Sequence, residues 1–185
     1  MEFLKERLRP VLVLAAMIWI VEIVNFILGH RLTVWGILPR NLSGLIGIPL
    51  APFIHAGFWH AVSNTIPLII LGALTMTIGS KRFWTVTVGT ILLSGALVWL
   101  FARGAYHVGA SGLVFGYFGA LLARAVIERT ILSIIVAIVT IILYGGLLWG
   151  VLPTRGYISF EGHLFGLIAG IAIVWFDRRF RNPQT

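Results

Sequence analysis

Six long apolar segments constrain the fold of this 185-residue chain more than any other feature of its sequence. They cover residues 11–28, 58–78, 83–101, 111–126, 130–150 and 162–176. Only 11% of the residues are charged, compared with about 25% in an ordinary soluble domain. A chain of this length cannot bury so much apolar surface in a water-soluble core. We therefore predict an all-α membrane protein in which a single domain, residues 1–185, forms six transmembrane helices.

The charged residues and the lack of cysteine exclude several classes of protein. The chain has no Cys, which excludes disulfides, thiolate nucleophiles and cysteine metal sites. Its net charge of +8 would suggest a nucleic-acid partner in a soluble protein. Here the basic residues lie at the ends of apolar segments, where they determine topology, so we expect no nucleic-acid partner.

The distribution of Lys and Arg predicts how the chain crosses the membrane. Of the 14 basic residues, ten lie on the side of the two termini and four lie on the other side. Positively charged loops stay in the cytoplasm, so we predict that both termini are cytoplasmic. The expected location of this multi-pass protein is a prokaryotic inner membrane.

The longest segment between apolar stretches is the first loop, residues 29–57. It contains Pro39, Pro49 and Pro52, yet it keeps Trp35 and several Leu and Ile residues. A flexible solvated linker would be more polar. We therefore predict a compact loop that lies partly in the outer leaflet of the membrane.

Polar residues inside apolar segments are the candidates for function, because placing them in lipid is costly. Ser111 begins the fourth segment, within the run Gly-Ala-Ser-Gly at 109–112, and His163 lies at the start of the sixth. The topology predicted from charge puts both residues at the outer ends of their helices, at similar depth. A serine hydroxyl attacks a carbonyl carbon when a base accepts its proton. Ser111 is therefore the predicted nucleophile, and His163 is the predicted general base.

Three hydrogen-bond donors are candidates for holding the oxyanion that such an attack creates. His60 and Asn64 are four residues apart, so they share one face of the second helix. The backbone N–H of Ser111 lies at a helix start, where it lacks a helical acceptor. We predict that these three groups bind the oxyanion. Phe115 follows Ser111 by one helical turn and is predicted to stack on the ring of His163.

Glycines recur at four-residue intervals in the two helices that carry the predicted catalytic pair. Gly112 and Gly116 form one G-x-x-x-G pattern, and Gly162, Gly166 and Gly170 repeat it on the sixth segment. Small residues let membrane helices pack backbone against backbone. The glycine-lined faces of the two helices are predicted to pack together and to bring the nucleophile and the base within reach of each other.

Other interpretations of the same residues remain open. Ser111 could be a packing residue on a small-residue face, and the polar residues of the second helix could join helices through hydrogen bonds. Zinc and aspartyl proteases are excluded, because the sequence has no H-E-x-x-H motif and its one Asp is Asp177. We expect no metal and no cofactor, and the roles of Glu22 and Glu161 stay open.

Three motifs together resemble those of the rhomboid family of intramembrane serine proteases. The motifs are H-x-x-x-x-H-x-x-x-N at His55, His60 and Asn64, G-x-S-G at Gly109 to Gly112, and H-x-x-G-x-x-x-G at His163, Gly166 and Gly170. The resemblance covers about residues 10–176. There are two departures from the family pattern. Trp35 is followed by Gly36 where many relatives have a Trp-Arg pair, and Phe115 stands where Tyr is common.

The resemblance implies six helices around a water-filled cavity that opens to the outside. It implies an acyl-enzyme mechanism with the dyad Ser111 and His163, oxyanion donors at His60 and Asn64, and supporting roles for His55 and the motif glycines. The substrates would be transmembrane proteins, cut in or near their membrane-spanning segments and surrounded by membrane lipids. The alternative is a non-catalytic chaperone or binding scaffold with the same fold, and a small transporter or channel is a further possibility.

Overall fold

The computed structural model describes residues 2–153 and 159–177, with side chains from residue 8 onward. Within these ranges the backbone forms seven α-helices and no β-strand. The helices are α1 (Glu2–Ile27), α2 (Gly47–Leu50), α3 (Phe58–Met76), α4 (Ser80–Phe101), α5 (Ser111–Glu128), α6 (Ile131–Tyr144) and α7 (Phe160–Phe176). Short 3-10 helices lie at Arg31–Trp35, Leu42–Ile46, Ala51–Phe53 and Gly145–Val151. The all-helical fold predicted from the sequence is confirmed for this part of the chain.

Five segments of the described chain are long and apolar enough to cross a membrane. They are Leu8–Ile27, Phe58–Met76, Ser80–Phe101, Ser111–Glu128 and Ile131–Val151. The remaining long apolar helix is α7, which has 17 residues. At about 1.5 Å per residue, α7 is shorter than a hydrocarbon core of about 30 Å. The described residues thus contain five candidate spans and one shorter apolar helix, where the sequence predicts six spans.

The helix ends differ from the predicted segments for local reasons. Helices α1 and α4 begin earlier than their apolar runs, at Glu2 and Ser80, because polar residues extend a helix beyond its lipid-compatible part. Helix α6 ends at Tyr144, and the chain continues to Val151 as a 3-10 helix. The change occurs at two consecutive glycines, which disfavour the α-helix.

Helix α5 is at the centre of the bundle. It is the most buried of the five candidate spans and packs against α3, α4, α6 and α7. Its interface with α7 is the most extensive among the described elements. A Cβ atom added to Gly166 would overlap the Gly112 carbonyl oxygen, and one added to Gly170 would overlap that of Gly116. The two helices therefore meet backbone against backbone, which brings their N-terminal ends together.

The first loop is attached to the C-terminal end of α4. The Arg40 guanidinium donates hydrogen bonds to the carbonyl oxygens of Leu100 and Ala102, at 3.2 and 2.8 Å. The Trp99 indole N–H donates to the carbonyl oxygen of Asn41 at 2.8 Å. A cation at this end of a helix pairs with carbonyl groups that lack helical donors. Arg40 and Trp99 thus anchor the first loop in a chain without a Trp-Arg pair.

Candidate active site

The predicted catalytic and oxyanion-binding residues surround one cavity of about 670 Å³. His60, Asn64, Ser111, Phe115 and His163 all line it. These residues come from the N-terminal halves of α3, α5 and α7. The structure thus brings together side chains whose positions in the sequence differ by up to about half of the chain length.

Ser111 is the first residue of α5, and the loop before it is fixed on two sides. The Gly109 N–H donates to the Ala51 carbonyl oxygen at 2.9 Å. The Ala110 N–H donates to Nε2 of His55 at 3.3 Å. Because Ser111 opens the helix, its own N–H has no acceptor within the helix and can serve an external oxyanion.

Both the backbone conformation at position 109 and the lack of space beside it require a glycine. Its φ of +114° lies in a region that side chains with a Cβ rarely adopt. A Cβ at this position would lie 2.8 Å from Cε1 and 2.9 Å from Nε2 of His60. Gly109 therefore lets the loop before the nucleophile pass directly against the His60 ring.

His60 and Asn64 lie on the first turns of α3. The His60 ring meets the His55 ring edge to face, with centroids 5.0 Å apart. One side-chain N–H of Asn64 donates to the His60 carbonyl oxygen at 2.8 Å. The amide group carries a second N–H, which is available to another acceptor. The Ala56 N–H donates to Nδ1 of His60 at 3.4 Å, so Nε2 of the neutral ring carries the proton. Both side chains therefore offer donors at the cavity wall.

His163 is oriented by a backbone carbonyl group and by an aromatic ring. Its Nδ1 lies 2.9 Å from the carbonyl oxygen of Gly150. A carbonyl oxygen only accepts, so Nδ1 carries the proton, and Nε2 of the neutral ring is left as an acceptor. The Phe115 ring stacks on His163 at 4.3 Å and 9°, as the sequence predicts.

Gly150 was not identified from the sequence. A Cβ on Gly150 would lie 3.0 Å from both His163 and Phe115, so the close approach of its backbone needs a small residue. Ser111 Oγ makes no direct hydrogen bond to His163 within the described ranges. Catalytic hydrogen bonds are often long in unliganded enzymes and tighten when substrate binds.

His55 lies behind the cavity, where it supports the loop before Ser111. Its side chain is 0% exposed, and its Nε2 accepts from Ala110. Nδ1 of the neutral ring must therefore carry the proton. The Asn25 side chain holds the same region, because its N–H donates to the His55 carbonyl oxygen at 2.8 Å. Burial lowers the pKa of His55 to about 3, and the neighbouring His60 adds to this effect.

Replacing His55 is expected to change the stability of the protein at acid pH. The histidine binds a proton near pH 6.5 when unfolded and near 3 when folded, so acidification between these values favours unfolding. His55→Gln keeps an acceptor for Ala110 and cannot be protonated, so its melting temperature should fall less between pH 7 and about 4. His55→Leu cannot be protonated either, but it leaves the buried N–H of Ala110 unpaired, so it should be about 1–3 kcal/mol less stable than His55→Gln at every pH.

Thermal unfolding in detergent measures these effects. A Gln variant whose melting temperature follows pH as steeply as that of the wild type would contradict the buried neutral histidine.

Within the two described ranges, no group of three His, Asp or Glu side chains is close enough to hold a metal ion. Two further polar contacts beside the cavity were not identified from the sequence. His107 pairs with Ser159, and Arg103 pairs with Glu161. Both contacts join residues more than fifty positions apart, and no local motif marks them.

Comparisons with known proteins extend these observations. Residues 42–180 match the family model of the Rhomboid domain. An uncharacterized protein of Mycobacterium tuberculosis is 36% identical over 174 residues, which cover 89% of this chain and 72% of that protein. A provisionally named rhomboid protease of Bacillus subtilis is 28% identical over 124 residues, or 65% of this chain and 61% of that protein. RHOMBOID-like protein 4 of Arabidopsis thaliana is 32% identical over 142 residues, or 69% of this chain and 35% of that protein.

Proposed function

Because the chain belongs to the rhomboid family, we propose that this integral membrane protein is an intramembrane serine endopeptidase with Ser111 as nucleophile and His163 as general base. The observation that carries the proposal is the cavity that Ser111 and His163 share with His60 and Asn64. A non-catalytic scaffold needs neither an oriented histidine nor spare hydrogen-bond donors around a serine.

In the proposed first step, His163 acts as a base. Its Nε2 accepts the Ser111 hydroxyl proton while Oγ forms a bond to the scissile carbonyl carbon. The hydrogen bond from Nδ1 to the Gly150 carbonyl oxygen keeps the ring in the tautomer that can accept this proton. The backbone carbonyl thus takes the orienting role that an Asp has in a serine protease triad.

The remaining steps use the oxyanion donors and the same histidine. The Ser111 N–H, His60 and Asn64 donate to the oxygen of the tetrahedral intermediate, which carries the negative charge. The C–N bond then breaks, and His163 gives its proton to the leaving amine. An ester of Ser111 remains. Water attacks this ester with His163 again as base, which releases the acid and restores the serine.

The proposed setting is a single membrane domain, residues 1–185, in a prokaryotic inner membrane. We propose that α7 is the sixth span, that both termini are cytoplasmic, and that the cavity opens to the extracytoplasmic side. The first loop would lie in the outer leaflet, which agrees with its exposed Trp35, Leu42 and Ile46 side chains. The proposed substrates are transmembrane proteins with a scissile bond in or near their spanning segment.

A fluorophosphonate probe, which forms an adduct with activated serines, tests the dyad directly. Purified wild-type protein in detergent is expected to gain the mass of one adduct at Ser111. Ser111→Ala removes the nucleophile and His163→Ala removes the base, so both variants should stay unlabelled. Intact-mass spectrometry and peptide mapping measure the adduct, with melting temperature as the control for folding. A folded wild type that is not labelled would favour the non-catalytic scaffold.

A further inference from the structure

The two segments that precede Ser111 and His163 are joined to each other by polar contacts. The loop from Arg103 to His107 leads into α5, and the residues Ser159 to Glu161 form the start of α7. We call the four residues Arg103, His107, Ser159 and Glu161 the loop–helix clamp. The clamp is separate from the glycine contacts that join α5 and α7 further along.

The His107–Ser159 pair belongs to a chain of hydrogen bonds whose direction is fixed while the His107 ring is neutral. His107 Nε2 lies 3.0 Å from the Arg103 carbonyl oxygen, so Nε2 donates. Nδ1 of the neutral ring is then an acceptor, and the Ser159 hydroxyl donates to it at 2.6 Å. The same hydroxyl accepts from the Gly162 N–H at 3.1 Å and so caps α7. Ser159 therefore links the start of α7 to the loop before α5.

The surroundings of His107 favour the neutral ring. Its side chain is 6% exposed. Burial lowers the pKa of His107, although the Arg103 carbonyl group and the Glu161 carboxylate act in the opposite direction. A neutral ring accepts the short hydrogen bond from Ser159, whereas a protonated ring would present a donor to that hydroxyl.

The second contact of the clamp is an ion pair. Oε1 of Glu161 lies 3.4 Å from both the backbone N and Nε of Arg103. The Arg103 guanidinium also lies over the Phe160 ring, 5.7 Å from its centroid. Glu161 is 7% exposed, whereas the Arg103 side chain is 38% exposed, so the ion pair lies at the edge of the solvent. The clamp therefore joins the two segments at two adjacent points.

We infer that the loop–helix clamp positions the nucleophile and the base relative to each other. The inference rests on the proposed function. Ser111 lies four residues after His107, and His163 lies four residues after Ser159. The His163 N–H also donates to the Ser159 carbonyl oxygen at 3.3 Å. A shift of the clamp thus moves both members of the dyad, and displacements of about 1 Å can reduce reactivity about 100-fold.

A hydrophilic clamp is not needed to cap α7, because the Ser159 hydroxyl can do this without His107. Burying the His107 imidazole and the Glu161 carboxylate carries a desolvation cost that apolar packing would avoid. Both His107 and Ser159 also line the cavity that contains the proposed dyad. These observations assign the four residues a positioning role rather than a general structural one.

Two pairs of variants test the inference through the rate of fluorophosphonate labelling at Ser111. Ser159→Thr keeps the hydroxyl, and Ser159→Val has the shape of the threonine variant but no hydroxyl. His107→Asn keeps an acceptor near the position of Nδ1, and His107→Leu has none. The polar variants should label within about threefold of wild type, and the apolar variants at least about tenfold more slowly. Melting temperatures measured on the same samples report folding.

The possible outcomes separate the inference from the function on which it rests. Folded Val and Leu variants that label at the wild-type rate would overturn the clamp, as would an equal slowing in all four variants. If the apolar variants unfold, the contact between His107 and Ser159 serves the stability of the fold, and this result would also overturn a positioning role. A wild type that gains no adduct at Ser111 contradicts the protease itself, and the inference then fails with it.

Discussion

Ser111→Ala is expected to reduce cleavage of a transmembrane substrate by about 10⁴-fold or more, because it removes the atom that forms the acyl-enzyme. His163→Ala should have a similar effect, since the hydroxyl of Ser111 is a weak nucleophile without a base. The assay uses protein in liposomes with a single-pass substrate that has small residues near the outer end of its span. Product is measured on gels, and the cleavage site by mass spectrometry.

Replacing the oxyanion donors should reduce the cleavage rate in the same assay by less than replacing the dyad does. His60→Ala and Asn64→Ala each remove one donor, and a single donor is worth about 10²- to 10³-fold in rate. Ser63→Ala is the matched control, because its hydroxyl donates to the His60 carbonyl oxygen from an exposed position. Its rate should stay within about twofold of wild type. Full cleavage by the Ser111 variant would show that another residue, or a contaminant, cuts the substrate.

The parts of the site that the sequence predicts are those that local patterns can specify. Four-residue spacing places His60 and Asn64 on one helix face, and the glycine pattern of α5 and α7 predicts their close packing. The start of a helix at Ser111 follows from its position at the edge of an apolar run. These features depend on residues close together in the chain, so the pattern contains the necessary information.

The contacts that orient the site could not be predicted in this way. The carbonyl group that orients His163 belongs to Gly150, and backbone atoms have no sequence signature. His107 and Ser159 are 52 residues apart, so tertiary packing rather than local spacing brings them together. His107 alone reads as a polar loop residue. Its role depends on a partner that no spacing rule identifies.

The buried Arg124 shows the same limit in a different part of the bundle. It lies near the end of the fourth predicted segment, where its charge counts toward the cytoplasmic side of the predicted topology. In the structure it lies inside α5 and is 6% exposed. It forms a 2.7 Å ion pair with Glu128, one turn further along, and donates to the Thr77 hydroxyl at 3.0 Å. A cation close to the end of a span can thus be paired within the bundle as well as exposed to water.

Gly170→Ala is expected to destabilise the protein strongly, although alanine favours α-helix over glycine by about 1 kcal/mol. The added Cβ would overlap the carbonyl oxygen of Gly116, and backbone cannot move aside as a flexible side chain can. Overpacking of this kind costs about 1–3 kcal/mol or more, so the melting temperature should fall. Gly146→Ala is the control, because a Cβ there meets nothing within 4 Å.

The same variant tests whether the spacing of α5 and α7 determines the reactivity of the dyad. Gly170 is seven residues from His163, which is about 10 Å along the helix, so its Cβ cannot touch the reacting atoms. If α7 moves away from α5, His163 moves away from Ser111, and fluorophosphonate labelling should slow by at least about tenfold at temperatures where the protein is folded. Unchanged labelling in a destabilised Gly170→Ala variant would mean that the loop–helix clamp alone can hold the dyad. Slowed labelling would mean that the glycine contacts are also required.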